Sequence, residues 1–534
     1  MKNKIIYLSL VIAFCSSAQN NLSLNIKNIW QANSISKNNS FNPTSVTKND
    51  SSTQNSIYKG NTIFTNSVFK RYYLPKSQLA NSSGIIETSN NNFILFGLSL
   101  DTLNSQIQQR LTLVGLDNST NLVWRKSYGN FNFSFVSYLS SIVKKDNFLY
   151  AVSNVQDSNY KQPGIFIKFN FNGDTIWQKK YYINNDEAFF TNVCPSVDNG
   201  FLITGAVQTS TPGYNNHPIV ATYLLKTDAN GNKLWDKRFY KTNLDETQAG
   251  YKIIQDSITK KIIVVGIQAN TSQYSNLQIL DSLGNLITQK GMNTSSYGNA
   301  LVDVIKLRDG NFVTVGTTVH NEVLINGNAT GASTFIKFDI NGNIVYRKEY
   351  DTLVLNNAFI KIFETKNNDI ITGGVLSTLY QYGLGLNDIS RIMKIDKNGN
   401  MLWKKYFDNY TTGGSLSNQD GLSDMIYTND GNIAFTNYLN AGNIPKPIPY
   451  TFYKTDTSYC DANAFACATF VGLKENELQK QKISIYPNPT TGIFEVYISA
   501  PHNAAENYKI EITNTLGQVL LNQIATTNNL TLNT

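Results

Sequence analysis

The chain has 534 residues, of which 41% are hydrophobic, 12% aromatic and only 15% charged. Its formal net charge of +8 comes from basic residues that are scattered singly, which argues against a nucleic-acid-binding surface. Few charges and many aromatic residues are typical of a β-rich protein, and this much apolar surface argues against disorder over most of the chain.

The N-terminus predicts export. Two lysines precede a short apolar run at residues 5–14, and the small residues Ser16 and Ala18 suit cleavage before Gln19. Residues 1–18 are therefore predicted to be a signal peptide. The apolar run is too short to span a bilayer and no later stretch is apolar enough, so we expect no transmembrane segment. Residues 19–60, rich in Asn, Ser and Thr, are expected to form a disordered leader.

The four cysteines fit an exported chain. Cys15 would leave with the signal peptide. Lipid attachment at Cys15 is an alternative that Phe14 argues against, because a small residue is needed at that position. Cys460 and Cys467 lie close together, so we predict a local disulfide between them. Cys194 lies in an apolar run and is expected to be a buried thiol.

Residues 61–456 contain a repeated hairpin pattern. In the copy at residues 224–240, two alternating apolar runs flank a polar turn around Asn230 and Gly231, which is typical of a β-hairpin. When the six copies of the hairpin are aligned, one position recurs every 53 to 58 residues. This column contains Trp124, Trp177, Trp235, Thr288, Tyr346 and Trp403. A second pattern, a polar turn and then a short apolar run, precedes each hairpin and occurs seven times in all.

These two patterns predict an all-β fold, a seven-bladed β-propeller. Each unit supplies four antiparallel strands, and repetition at this period is typical of propeller blades. The second pattern occurs seven times but the hairpin only six times. One blade therefore needs a strand from elsewhere in the chain. Residues 69–73 resemble a second hairpin arm and lie in step with the column. We expect this N-terminal strand to complete the last blade and close the ring.

Residues 457–482 are expected to be a linker, and residues 483–534 a small β-sandwich with a Pro-rich turn. The last segment carries a motif formed by Tyr486, Pro487, Asn488, Pro489, Thr491 and Gly492. Together with residues 514–518, it resembles the type A C-terminal sorting domain of the type IX secretion system of Bacteroidetes-type bacteria. The family pattern continues with two further strands, so this copy is expected to be incomplete.

That resemblance implies a partner and a destination. The type IX machinery would export the chain across the outer membrane, followed by release or by attachment at the cell surface. The repeats also resemble the secreted propeller repeats common in such bacteria, which implies a fold and says little about activity.

The first residue of each hairpin turn, which we call the acidic column, allows two interpretations. Its members are Asp117, Asn170, Asp228, Asp281, Asp339 and Asp396. Closely spaced Asp and Asn oxygens can bind calcium, whereas Asp also caps the amides of tight turns. Most copies offer one carboxylate, too few for a tight site, so we expect no cofactor and keep calcium as the alternative.

The aromatic column also has two interpretations. Trp124, Trp177, Trp235, Tyr346 and Trp403 could stack on carbohydrate, but a position shared by the blades is more often part of the core. We therefore expect these residues to be structural and packed against the next sheet. The lysine two residues later in each copy is expected to be solvated or stacked on an aromatic ring rather than to bind an anion.

Catalytic signatures are few. The three histidines, His217, His320 and His502, have no partner at metal-ligand spacing, and neither a nucleophile elbow nor a phosphate loop is present. No catalytic or metal-binding residue is therefore predicted, although a Ser-His-Asp site whose members meet only in space stays open. His217 and His320 are expected in loops between the second and third strands of a blade.

The sequence favours an exported or cell-surface propeller that acts as a non-catalytic binding protein. Its ligand, a glycan or a protein, is expected to be held by loops at residues 208–217, 321–332 and 376–388, because loops from every blade meet at the face of a ring. The alternative is an extracellular polysaccharide hydrolase or lyase, which needs carboxylates gathered at one mouth of the ring, with His217 or His320 beside them.

Overall fold

The computed structural model divides into two compact units, Met1–Phe470 and Val471–Thr534. Within the residues it describes, all regular structure is β-strand. The described residues are 44–46, 77–103, 106–129, 133–135, 141–184, 186–212, 218–240, 247–269, 273–292, 299–325, 328–354, 356–379, 386–407, 418–441, 451–455, 470–471, 482–486, 493–499, 508–513, 519–525 and 529–533.

The first unit consists of antiparallel blades whose strands follow one another along the chain. Blade 1 contains β1 (Thr44–Val46), β2 (Ser77–Glu87), β3 (Phe93–Leu103), β4 (Gln106–Leu116) and β5 (Leu122–Tyr128). Blade 2 contains β6 (Phe133–Phe135), β7 (Ser141–Lys145), β8 (Phe148–Asp157), β9 (Gly164–Asn170) and β10 (Thr175–Tyr181). Blade 3 contains β11 (Glu187–Pro195), β12 (Phe201–Pro212), β13 (Pro218–Thr227) and β14 (Lys233–Phe239).

The remaining blades have the same order. Blade 4 contains β15 (Thr247–Gln255), β16 (Ile262–Ala269), β17 (Gln273–Leu280) and β18 (Leu286–Gly291). Blade 5 contains β19 (Ala300–Lys306), β20 (Phe312–Ile325), β21 (Asn328–Phe338) and β22 (Ile344–Val354). Blade 6 contains β23 (Asn356–Glu364), β24 (Ile370–Leu379), β25 (Leu386–Ile395) and β26 (Met401–Phe407). Blade 7 contains β27 (Asn418–Tyr427), β28 (Ile433–Ala441) and β29 (Tyr453–Lys454).

The inner strands form a closed ring. These strands are β2, β7, β11, β15, β19, β23 and β27, and each contacts the next around the ring, with β27 contacting β2. The prediction of an all-β, seven-bladed propeller is therefore confirmed. The strand β1, which lies within the predicted leader, pairs with β5 at the outer edge of blade 1.

Blade 7 packs directly on blade 1. The rings of Phe93 and Phe452 lie 5.0 Å apart between their centroids, in a buried cluster shared by the two blades. The backbone N–H of Asn429 donates to Oε2 of Glu87 at 2.8 Å. The strand predicted to complete blade 7, residues 69–73, lies outside the described residues, so its closing role stays a prediction.

The polar turn of each hairpin is built by its own side chains. Oδ1 of Asp228 accepts the backbone N–H groups of Asn230 (2.9 Å) and Asn232 (2.7 Å), and Oδ2 accepts Nδ2 of Asn232 at 2.7 Å. Gly231 has φ +74°, a conformation that glycine adopts without strain. The Asp-x-x-Gly-Asn pattern thus specifies the turn.

The aromatic column contacts the turn of the following blade. Trp177 lies so close to Gly231 that a Cβ built there would be 2.8 Å from the indole. The Tyr181 hydroxyl donates to the Gly231 carbonyl at 2.5 Å, and Lys179 donates to Oδ1 of Asn232 at 2.5 Å. Equivalent pairs are Trp124 with Gly173, Trp235 with Gly284 and Tyr346 with Gly399. Trp403 packs against the cluster between blades 6 and 7. The aromatic column therefore joins each of these blades to the next.

The turn between β15 and β16 carries a carboxylate that links blades 4 and 5. Oδ2 of Asp256 accepts the N–H (2.8 Å) and the hydroxyl (2.6 Å) of Thr259, and Oδ1 pairs with Lys306. Burial raises the Asp256 pKa, but these hydrogen bonds outweigh it and bring the pKa to about 2 from the usual 3.8.

We expect this carboxylate to make stability depend on pH. Because its pKa is lower in the folded state, the stabilisation is complete above about pH 4 and is lost as the pH falls through about 2. The difference amounts to about 2 kcal/mol in the free energy of unfolding. Urea unfolding at pH 5 and pH 2.5 should show a smaller pH effect for Asp256→Asn than for the unchanged chain. Equal pH effects in the two proteins would contradict this assignment.

The second unit contains two small antiparallel sheets. Its strands follow β30 (Phe470–Val471) and are β31 (Lys482–Tyr486), β32 (Ile493–Ser499), β33 (Tyr508–Thr513), β34 (Val519–Ala525) and β35 (Asn529–Asn533). The order is β31-β32-β35 in one sheet and β33-β34 in the other. The sandwich packing of these sheets stays a prediction.

Candidate functional site

One residue from each inner strand forms what we call the axial ring. In six blades it follows a β-bulge in the inner strand, and a bulge turns the following side chain out of the regular alternation. The ring consists of Gly84, Ser141, Asn192, Lys252, Asp303, Lys361 and Asp424.

Charges alternate along half of the axial ring. The Lys252 ammonium lies 3.2 Å from Oδ1 of Asp303, and the Lys361 ammonium lies 2.8 Å from Oδ1 of Asp424. The Asp303 side chain is 3% exposed, whereas those of Lys252 and Lys361 are 21% and 27% exposed. Burial lowers the pKa of Lys361, but Asp424 and Asp303 outweigh burial and hold it above its usual value. Lys361 is therefore a charged partner of Asp424.

The same side chains also bind the backbone of the next blade. Oδ2 of Asp424 accepts the Ile85 N–H at 2.9 Å, and Oδ2 of Asp303 accepts the Ile362 N–H at 3.1 Å. Both oxygens of each carboxylate thus have a partner. Asn192 acts similarly: Oδ1 accepts the Ile253 N–H at 3.3 Å and Nδ2 donates to Ser141 at 2.9 Å.

This geometry holds blades together rather than presenting a reactive group. A pair of carboxylates that hydrolyses a glycosidic bond needs one protonated acid and one free base or nucleophile. Asp303 and Asp424 instead each bind an ammonium group and a backbone amide. Across the described residues, no group of three or more His, Cys, Asp or Glu is placed to hold a metal ion.

The acidic column of the hairpin turns has the same local role in every described copy. Asp117, Asp281, Asp339 and Asp396 bind the turn amides as Asp228 does, and Asn170 does so with Asp174 as its partner. Burial raises the pKa of Asp228, and hydrogen bonds from Asn232 and Asn230 outweigh it, so the pKa is lowered. The expectation that no cofactor is bound stays a prediction.

His320, one of the two histidines predicted to lie in blade loops, lies in a strand. His320 belongs to β20, and its Nε2 is 2.9 Å from Oε2 of Glu349 on β22. The strand continues past the predicted end because its ladder to β21 extends to the pair Ile325 and Asn328. His217 and His502 lie outside the described residues.

Other predicted residues have different outcomes. Cys194 is a free thiol in β11. Burial raises its pKa to about 12, although nearby lysines oppose this.

Tyr486 is the last residue of β31. The sorting-motif and disulfide residues outside the described part of the chain are Pro487, Asn488, Pro489, Thr491, Gly492, Cys460 and Cys467.

Long hairpins extend from one face of the ring, which we call the hairpin face. In an antiparallel blade the turn between the second and third strands lies at the opposite end from the other two turns. On that side β20 and β21 pair as far as Ile325 with Asn328, and β24 and β25 as far as Leu379 with Leu386. Within the regions predicted as loops at residues 321–332 and 376–388, the described residues are therefore strand, and residues 208–212 belong to β12.

The C-terminal residues match a known family. Residues 484–534 match the family model of the secretion system C-terminal sorting domain. The protein is thus a propeller handled by type IX secretion and delivered outside the cell or to its outer surface. No described helix is long and apolar enough to cross a membrane. A search of curated proteins found no match.

Several solved structures have a similar arrangement at low sequence identity. The WD40 domain of SCAP from fission yeast is 10% identical, with TM-score 0.32 over 73% of this chain and 99% of that chain. The β-propeller domain of the Trilobed protease from Pyrococcus furiosus is 10% identical, with TM-score 0.40 over 72% and 97%. The α-L-arabinanase of Penicillium chrysogenum is 10% identical, with TM-score 0.35 over 61% and 95%. Scores this low carry no information about activity.

Proposed function

We propose that this exported propeller is a non-catalytic binding protein that holds an extracellular glycan on its hairpin face. The observation that carries the proposal is the engagement of both axial carboxylates. Asp303 and Asp424 each bind a lysine and a backbone amide of another blade, which leaves them no role as free acid or base.

The hairpin face has a composition that suits sugars. Residues 208–217, 321–332 and 376–388 contain Asn, Gln, Ser, Thr and Tyr with few charges. Such side chains can donate to and accept from hydroxyl groups, and tyrosine rings offer flat apolar surfaces. Unequal hairpin lengths also give the face a shape that differs from blade to blade.

Shortening one hairpin tests the proposal. Replacing residues 321–329 by Asn-Gly joins His320 to Thr330, which are already paired, through a two-residue turn. We expect the full chain to bind at least one polysaccharide on an array without releasing reducing ends. The shortened variant should bind about tenfold more weakly, equivalent to ~1.4 kcal/mol.

A variant on the opposite face provides the control. Ile258 is 78% exposed in the turn between β15 and β16, so Ile258→Ser should bind like the unchanged chain. Release of reducing ends from a bound polysaccharide would overturn the non-catalytic assignment. If the shortened variant binds as tightly as the unchanged chain, the hairpin face is not the binding surface.

A further inference from the structure

Blade 4 breaks the repeat at a buried position. Three residues before the acidic column, the other five complete hairpins have an apolar side chain: Val114, Ile167, Leu225, Ile336 and Met393. Blade 4 has Gln278 there, and it is only 1% exposed. The repeat therefore predicts an apolar contact where the structure has an amide.

This amide has no partner among the described residues. Neither Nε2 nor Oε1 of Gln278 makes a hydrogen bond, and Nε2 of Gln248, Oδ1 of Asn276 and Oγ1 of Thr222 are also buried without one. Most buried polar groups in proteins are satisfied, and each one left unsatisfied is destabilising. Five such atoms lie in this one region.

The unpaired atoms lie on the side of blade 4 that faces blade 3. Asn276 and Gln278 alternate along β17, so they share one face. Leu280 continues that face and packs with Leu202 and Leu224 of blade 3 in one buried cluster. Thr222 lies two residues before Leu224 on β13, so it faces blade 4.

Three more side chains extend this polar region toward solvent. Nε2 of Gln289 donates to Oε1 of Gln248 at 3.3 Å and to Oε1 of Gln268 at 3.2 Å. Gln268 and Gln289 are partly exposed, as is Tyr274, which shares the β17 face with Asn276. We call Gln248, Gln268, Asn276, Gln278 and Gln289 the amide cluster.

We propose that the amide cluster binds a neutral sugar, whose hydroxyl groups satisfy the unpaired amides between blades 3 and 4. This inference rests on the proposed binding function and adds a second site to it. Carboxamides donate and accept hydrogen bonds, as sugar hydroxyls do, and none of the five members is charged. The partly exposed Tyr274 ring offers an apolar surface on the same face of β17.

The test compares Gln278→Leu with the unchanged full chain. Leucine matches the residue type of the other blades, so the variant should fold, and in buffer its melting temperature should rise by about 2 °C because an unsatisfied amide is removed. Both proteins are then melted with D-glucose, D-galactose, D-mannose, L-arabinose or N-acetyl-D-glucosamine at about 50 mM. At least one sugar should raise the melting temperature of the unchanged chain by about 2 °C more than that of the variant.

The comparison removes general solvent effects, since an excluded solute stabilises both proteins alike. Met393→Leu changes the same repeat position in blade 6 and should keep the full response to sugar. If no sugar distinguishes Gln278→Leu from the unchanged chain, the amide cluster does not bind these sugars and the inference fails. Binding on the polysaccharide array and its loss on hairpin shortening would then still support the proposed function.

Discussion

Replacing Asp424 by alanine is expected to lower the free energy of unfolding by about 3 kcal/mol. The change removes the partner of the Lys361 ammonium, 2.8 Å away, and the acceptor of the Ile85 N–H, 2.9 Å away. The first contact joins blade 6 to blade 7 and the second joins blade 7 to blade 1. Urea unfolding followed by tryptophan fluorescence measures the loss.

Two further variants separate charge from hydrogen bonding. Asp424→Asn keeps an oxygen for the Ile85 N–H but loses the charge opposite Lys361, so its loss should be roughly half as large. Lys233→Ala removes one partner of Asp236 in a pair whose lysine side chain is 53% exposed, and should cost less than about 1 kcal/mol. Comparable losses for Asp424→Ala and Lys233→Ala would show that the axial ring does not hold the blades together.

The sequence predicts the blades because the signals that build them are local. The Asp228 turn, its glycine and the aromatic column repeat at an even spacing, so strand order and blade number follow from periodicity. The axial ring was not predicted, since Lys361 and Asp424 are 63 residues apart and their neighbours differ. Aligning the residue that precedes the aliphatic position of each inner strand would have found it.

Other differences arise where tertiary pairing overrides a local pattern. Residues 321–332 contain Asn and Gly and were predicted as a loop, but β20 and β21 continue their ladder through most of them. Gln278 is a different case, because the blade 4 hairpin keeps the turn of the repeat but departs from it at this one buried position. A polar residue at an apolar repeat position is a signal that sequence alone can give.

Replacing Gly231 by alanine is expected to lower the free energy of unfolding by about 3 kcal/mol. Two effects combine: φ is +74°, and the new Cβ would lie 2.8 Å from the Trp177 ring. Gly310 provides the matched control, since its φ is +89° and nothing lies within 4 Å of a Cβ there. Gly310→Ala should therefore cost only the backbone strain, about 1 kcal/mol.

The excess of one substitution over the other measures how tightly blade 2 packs on the turn of blade 3. In a Trp177→Ala background the indole is gone, so Gly231→Ala should cost no more than Gly310→Ala, although Trp177→Ala is itself destabilising by about 3 kcal/mol. Urea midpoints of the single and double variants give the coupling energy. If Gly231→Ala and Gly310→Ala are equally destabilising in the unchanged background, the aromatic column does not fix each blade to its neighbour, and stability must come from the sheets and the axial ring.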